Sequence, residues 1–118
     1  MRNIVITGAS RGLGNAFSIG VPNEGDQVWL VSRGEPASLE RHDGVRRHWI
    51  RADLSDPRAA ETIAGYLVGT PLDVLLYNAG IWESTGFSSA YNFGDFPVQE
   101  TLDIITVNLT SALLSVQA

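Results

Sequence analysis

Thr7, Gly8, Ala9, Ser10, Arg11, Gly12, Leu13 and Gly14 form an unbroken run directly after the apolar segment Ile4-Val5-Ile6. A buried strand that passes through a glycine-rich turn into a helix is how α/β proteins build a phosphate site. The helix N-terminus presents unpaired backbone N–H groups and a partial positive charge, and glycines let a pyrophosphate come close to the chain. The chemistry implied is the holding of a nucleotide. Acting on one requires further groups.

Few such groups are present. The chain has no cysteine, which removes disulfides, thiolate nucleophiles and thiolate metal sites. Every basic residue is an arginine (Arg2, Arg11, Arg33, Arg41, Arg46, Arg47, Arg51, Arg58), and there is no lysine. Schiff-base chemistry and a Walker-type phosphate lysine are therefore ruled out. His42 and His48 are the only histidines, one in a polar loop and one at the start of a strand, and both read as structural or solvated. The carboxylates are spread singly, without metal-ligand spacing, so no metal site is expected.

These residues must be positioned by a single domain, residues 1–118, large enough for a real core. No apolar run approaches the roughly 18 residues of a membrane span. The formal net charge of −5 disfavours general binding to nucleic acid or to anionic membranes. Met1-Arg2-Asn3 leads straight into the first strand without a signal peptide, and cysteine is absent; a cytoplasmic location is the expectation.

Strands and helices alternate along the chain. Asn3 to Ile6 reads as a short buried strand, followed by the glycine turn and a helix from about Gly12 that Pro22 should end. Val28 to Val31 reads as a second strand with Arg33-Gly34-Glu35-Pro36 as its exit. A polar stretch from Arg41 to Arg47 leads to a third strand near His48 to Ala52. Ser55 or Asp56 is a suitable N-cap for the next helix, with Pro57 in its first turn and Ala60, Ile63, Ala64 and Leu67 at helical spacing. Thr70-Pro71 stops it, and Leu72 to Tyr77 is a fourth apolar strand. Strands apolar on both faces imply a parallel sheet covered by helices, hence an α/β doubly wound fold of Rossmann type. A loop from Ile81 to Phe96, rich in Ser, Gly and aromatics, follows. After Pro97 comes a last helix with Val98, Leu102, Ile105, Leu109, Ala112 and Val116 as its apolar stripe.

Four motifs in order carry a family resemblance. They are Thr-Gly-x-x-x-Gly-x-Gly at Thr7 to Gly14, Asp53-Leu54 after the third strand, Asn78-Ala79-Gly80 after the fourth, and Val107-Asn108 in the helix beyond. Together the chain resembles the N-terminal, cofactor-binding half of the short-chain dehydrogenase/reductase family. The resemblance implies four parallel strands in the order 3-2-1-4 with flanking helices, truncated relative to the family. It also implies roles by position. Gly8, Gly12 and Gly14 shape the turn, while Ser10 and the backbone of Leu13 meet the phosphates. Asp53 and Leu54 lie at the adenine, Asn78, Ala79 and Gly80 line the cofactor, Val107 is a further cofactor-binding residue, and Asn108 is the catalytic asparagine.

Cofactor choice turns on the end of the second strand. NAD binders place an acid about 20 residues past the glycine turn to hold the ribose 2′-hydroxyl. Here Ser32-Arg33 stands at that point. A carboxylate would repel a 2′-phosphate, whereas arginine can grip it with a bidentate fork. Arg11 points the same way by resemblance, so NADP(H) is preferred over NAD(H). Solvated surface arginines are the alternative reading, and Glu35 would oppose the preference if its loop folded back.

The family's catalytic Tyr-x-x-x-Lys pair has no counterpart, since Tyr66, Tyr77 and Tyr91 have no lysine four residues on. The function implied is an NADP(H)-dependent oxidoreductase exchanging hydride with a carbonyl or alcohol. This chain supplies the cofactor half and is expected to be inactive alone. A short, non-catalytic nucleotide-binding or interaction protein is the alternative. Strand four at the sheet edge and the stripe on the last helix lead to an expectation of homo-oligomers. A carbonyl substrate is expected only if the missing half is present.

Overall fold

The apolar runs at the start of the chain are buried on both sides. The computed structural model describes residues 1–78 together with 98, 99 and 102. Strands β1 (Asn3–Thr7), β2 (Gln27–Ser32), β3 (Arg46–Arg51) and β4 (Val74–Tyr77) form one sheet in the order β3-β2-β1-β4. All its pairings are parallel, as the strand patterning requires. The register sets Val5 beside Trp29 and Leu75, and Val31 beside Ile50.

Side chains alternate across the pleat, so each strand feeds two cores. Val5, Trp29, Val31 and Ile50 pack under Leu54, Ala59 and Ile63, the last two on helix α2 (Ala59–Tyr66). Ile4, Ile6, Val28 and Leu30 pack on the opposite face with Phe17 and Val21, where helix α1 (Gly12–Gly20) lies. Each of these four aliphatic side chains is fully buried.

Several boundaries differ from the sequence expectation; β4, for one, begins at Val74 rather than Leu72. β3 begins at Arg46 rather than His48, so the charged pair Arg46-Arg47 belongs to the strand. The crossover from β2 to β3 holds no α-helix, only a 3₁₀ turn at Ala37–Glu40. α2 starts at Ala59 rather than after Ser55 or Asp56. The last shift has a clear cause. Asp53 accepts the Ser55 N–H at 2.9 Å and Asp56 accepts the Arg58 N–H at 2.9 Å. Two successive aspartate turns occupy the chain before the helix can begin. The loop at 81–96 and the body of the last helix lie outside the described residues. His48, expected to open β3, sits within it, stacked on Trp29 with ring centroids 5.2 Å apart.

α1 is held at its C-terminal end by residues remote in sequence. It has no basic residue of its own in the last turn. Instead Arg47, whose side chain is fully buried, donates from Nε and Nη2 to the Ser18 carbonyl at 3.1 and 2.9 Å. Arg2 donates to the Val21 carbonyl at 3.0 Å. Cations and donors at a helix C-terminus satisfy its orphan carbonyls and complement its dipole. Each arginine is held in turn by an aspartate. Asp43 accepts two hydrogen bonds from Arg47, at 2.7 and 2.8 Å, and Asp26 accepts from Arg2 at 2.8, 2.9 and 3.1 Å.

These contacts make stability acid-sensitive. N–H donation from Asn23 and then Arg2 lowers the Asp26 pKa to about 2, and hydrogen bonding from Arg47 holds the Asp43 carboxyl well below its ordinary range. Both folded pKa values lie below the ordinary 3.8, so in that interval the unfolded chain binds more protons. Stability then rises with pH. The contribution is complete above about pH 5 and is lost as the pH falls toward 2. In thermal melts between pH 6 and pH 3, Asp26→Asn is expected to flatten the decline of the midpoint. A decline equal to that of the unmodified chain would show that Asp26 does not contribute.

Candidate cofactor-binding site

All four strands end at one edge, and the residues singled out by their types collect there. β1 leads into Gly8, whose φ of +68° is a left-handed conformation that favours glycine. The Gly8 and Ala9 N–H groups both donate to the Val31 carbonyl, at 2.9 and 3.4 Å, so the turn is tied to the end of β2. Gly14 then passes directly over Gly8. A Cβ on Gly14 would collide with the Gly8 carbonyl oxygen, 2.6 Å from its carbon, and would lie 3.0 Å from Asn78 Nδ2. Glycine at 14 is thus a requirement of the turn.

The same packing brings Asn78 to the turn. Its N–H donates to the Thr7 hydroxyl at 3.0 Å, and that hydroxyl donates to the Leu76 carbonyl at 3.5 Å. One threonine at the end of β1 therefore joins the ends of β1 and β4.

Arg11, extended at φ −160°, precedes α1 without a side-chain cap, and the first turn of α1 holds no acid. Helix geometry leaves the first backbone N–H groups without intrahelical partners. Ser10 is half-buried beside them, and Leu13 is exposed over the turn. This close backbone crossing and uncapped helix start fit a phosphate-bearing ligand.

At the exits of β2 and β3 the Ser32 carbonyl accepts both the Ala52 N–H at 3.2 Å and Trp49 Nε1–H at 3.3 Å. Ser32 Oγ donates to the Gly34 carbonyl at 2.6 Å, which folds the loop carrying Arg33. Among the described residues Arg2, Arg41, Arg47 and Arg58 pair with aspartates. Arg11 and Arg33 are exposed and form no ion pair there, nor do Arg46 and Arg51 on β3. Glu35 makes no ion pair with Arg33.

Asp53 is exposed just past β3, and Leu54 beside it is buried in the core under α2. The Asp53 carboxyl is held below its ordinary pKa chiefly by donation from the Ser55 N–H and hydroxyl, with help from the charge of Arg33.

Gly8, Ser10, Arg11, Gly12, Leu13, Gly14, Arg33, Asp53, Leu54 and Asn78 thus share one sheet edge. Ala79, Gly80, Val107 and Asn108 lie outside the described residues. Sequence reasoning missed two contributors. Ser55 had a local signal, a hydroxyl two residues after an aspartate. Arg47 had none for its burial, because Ser18, 29 residues away, is joined to it only by the fold, although Asp43 lies four residues before it.

A parallel sheet in this order, with a glycine turn between β1 and α1, defines a Rossmann-type α/β domain. The chain belongs to the short chain dehydrogenase family, which it matches over residues 2–118. Among its relatives is a very-long-chain 3-oxoacyl-CoA reductase of Laccaria bicolor, 32% identical over 117 residues, covering 92% of this chain and 33% of that protein. Another is the 5-keto-D-gluconate 5-reductase of Escherichia coli, 30% identical over 125 residues, covering 99% and 46%. A short-chain dehydrogenase from Sphingobium yanoikuyae, solved in complex with NADPH, superposes with a TM-score of 0.82 at 24% identity, over 99% of this chain and 46% of that one. The chain spans a third to a half of the length of these proteins.

Proposed function

We propose that this chain holds NADP(H) for a short-chain oxidoreductase. The observation that carries the reading is Arg33, an exposed guanidinium with no ion pair among the described residues, at the exit of β2 where an NAD binder would present a carboxylate. In this reading Arg33, aided by Arg11, takes the 2′-phosphate. The N–H groups of α1 near Gly12, Leu13 and Gly14, together with Ser10, take the pyrophosphate. Asp53 and Leu54 border the adenine. Asn78, Ala79 and Gly80 face the cofactor along its length, and Val107 and Asn108 serve the nicotinamide end. Bound NADPH would supply hydride to a carbonyl carbon. The reductase names of the relatives and the NADPH in the similar fold support this assignment.

The proton needed to complete that reduction has no evident source in this sequence. The chain has no lysine and therefore no Tyr-x-x-x-Lys pair. That absence favours a second reading, a nucleotide-binding protein without catalysis. An intact-mass measurement of the native protein separates the two, because the first requires a longer polypeptide carrying such a pair. Titration of the 118-residue chain followed by NADPH fluorescence is expected to show saturable binding, at least tenfold tighter than NADH, and no turnover of carbonyl compounds. Equal affinity for the two dinucleotides would refute the arginine argument, and steady turnover would refute the assignment of the proton donor to a further segment.

A further inference from the structure

We infer that β4 is an association surface for a second copy of this chain, whose own β4 adds to the sheet antiparallel across a twofold axis. The inference is independent of the cofactor reading. The two outermost strands are built differently. β3 carries Arg46, His48 and Arg51 at exposed positions, and charges of this kind guard an edge strand against pairing. β4, the outermost strand on the other side among the described residues, is Val-Leu-Leu-Tyr. From Thr62 to Tyr77 the only charged residue is Asp73, whose carboxylate accepts the Asn3 N–H at 2.7 Å. Val68 and Leu72, both exposed, line with Leu75 an apolar cavity of about 250 Å³ between α2 and the sheet. At a formal net charge of −5, two copies repel over most of their surface and meet at least cost where charge is absent. An uncharged apolar edge is also complementary to itself, as a twofold contact requires.

The register follows from the backbone. The Asp73 N–H donates to the Asn3 carbonyl on β1, and successive residues of a strand direct their backbone groups to opposite sides. Val74 and Leu76 therefore turn their N–H groups outward. The Asn78 N–H is already given to the Thr7 hydroxyl. Pairing centred on Leu75 uses both outward residues, because Val74 of one copy and Leu76 of the other exchange N–H···O=C bonds on each side of the axis. The Leu76 carbonyl, which receives the long Thr7 contact, keeps a second lone pair for this. Leu75 then faces its own counterpart at a non-hydrogen-bonded position, with Cα atoms about 4.5 Å apart. A twofold perpendicular to the sheet sets the charged β3 edge at each end, so the assembly stops at two.

Sedimentation velocity of the 118-residue chain tests this. Monomer and dimer are expected to exchange with a midpoint of about 10 µM, the scale of a small interface, with no larger species. Raising NaCl from about 0.05 M to about 0.5 M should tighten the dimer, since salt screens the repulsion and the contact contains no ion pair. Leu72→Lys, at a residue 43% exposed, should weaken it by about tenfold or more. Ala37→Lys adds the same charge at an exposed position on the α1 side and should not. Because the chain has no cysteine, Leu75→Cys is a single-thiol probe. Under mild oxidation it should cross-link two chains, its Cα separation being within disulfide reach. Leu76→Cys, set opposite the partner's Val74, should remain unlinked. A monomer at about 100 µM, dissociation on adding salt, or growth past the dimer would overturn the inference. So would a dimer affected alike by Leu72→Lys and Ala37→Lys. Equal cross-linking through the two cysteines would overturn it as well, and decides the matter if Leu72→Lys does not fold.

Discussion

Arg33→Asp is expected to weaken NADPH binding by about a hundredfold while leaving NADH unchanged or improved. A bidentate guanidinium–phosphate contact consists of charge-assisted hydrogen bonds worth about 1.5–3 kcal/mol each, and each 1.4 kcal/mol is a factor of about ten in affinity. The substitution removes those bonds and sets a carboxylate against the 2′-phosphate. It also places that carboxylate near Asp53, whose charge Arg33 now offsets. For NADH the same carboxylate gains an acceptor for the ribose 2′-hydroxyl. Paired titrations with the two dinucleotides decide the matter. A fall shared equally by both would mean that Arg33 supports the loop rather than the phosphate, and a fall of less than about threefold would return it to ordinary surface solvation.

The second large effect is expected from one methyl group. In Gly14→Ala the new Cβ would overlap the Gly8 carbonyl and crowd Asn78 Nδ2 at 3.0 Å. Neither neighbour gives way readily. Gly8 is fixed by its N–H bond to Val31, and Asn78 is tied through Thr7 to the end of β1. Relief requires the turn and α1 to separate, which moves the N–H groups that would receive the pyrophosphate. Overpacking of this kind costs about 1–3 kcal/mol, and cofactor affinity should fall by more than about thirtyfold because, in the proposed reading, the displaced groups hold the pyrophosphate. Gly20→Ala is the control. It lies in the same helix with nothing within 4 Å of the added Cβ, so its melting temperature should stay the same or rise slightly. Indistinguishable melts and titrations for the two variants would show that the Gly8–Gly14 crossing is unimportant.

How far the sequence could be read depended on whether the cause of each feature was local. β1 and β2 are near-continuous apolar runs because both faces are covered, and such runs announce themselves; β4 is an equally apolar run, half-buried among the described residues. The order 3-2-1-4 came with the family motifs. β3 was less legible, since a strand at the end of the sheet can carry Arg46, His48 and Arg51 on exposed positions. Its first residues consequently looked like loop. The start of α2 was misread because Ser55, Asp56 and Pro57 are good cap residues, yet here the aspartates build turns ahead of the helix. Of the candidate site, the glycine crossing, the arginine at the end of β2 and the Asp53-Leu54 step were all visible as residue types at a spacing. Arg47 was not. A charged residue in a polar stretch gives no hint that it will be fully buried against a helix closed by Val21 and Pro22.

The two ends of α1 answer to different parts of the molecule. One end is fastened by Arg47 and Arg2, held by Asp43 and Asp26, where the strands begin, and the glycine turn lies where they end. The other carries no side-chain cap. Anchorage and recognition are therefore encoded by separate residues, which makes the helix a modular part. Exchanging Arg11, Leu13 or Arg33 can retune what the open end receives without loosening the helix. A binding site arranged in this way can diverge in ligand while its scaffold stays constant, a property useful both to evolution and to the redesign of cofactor choice.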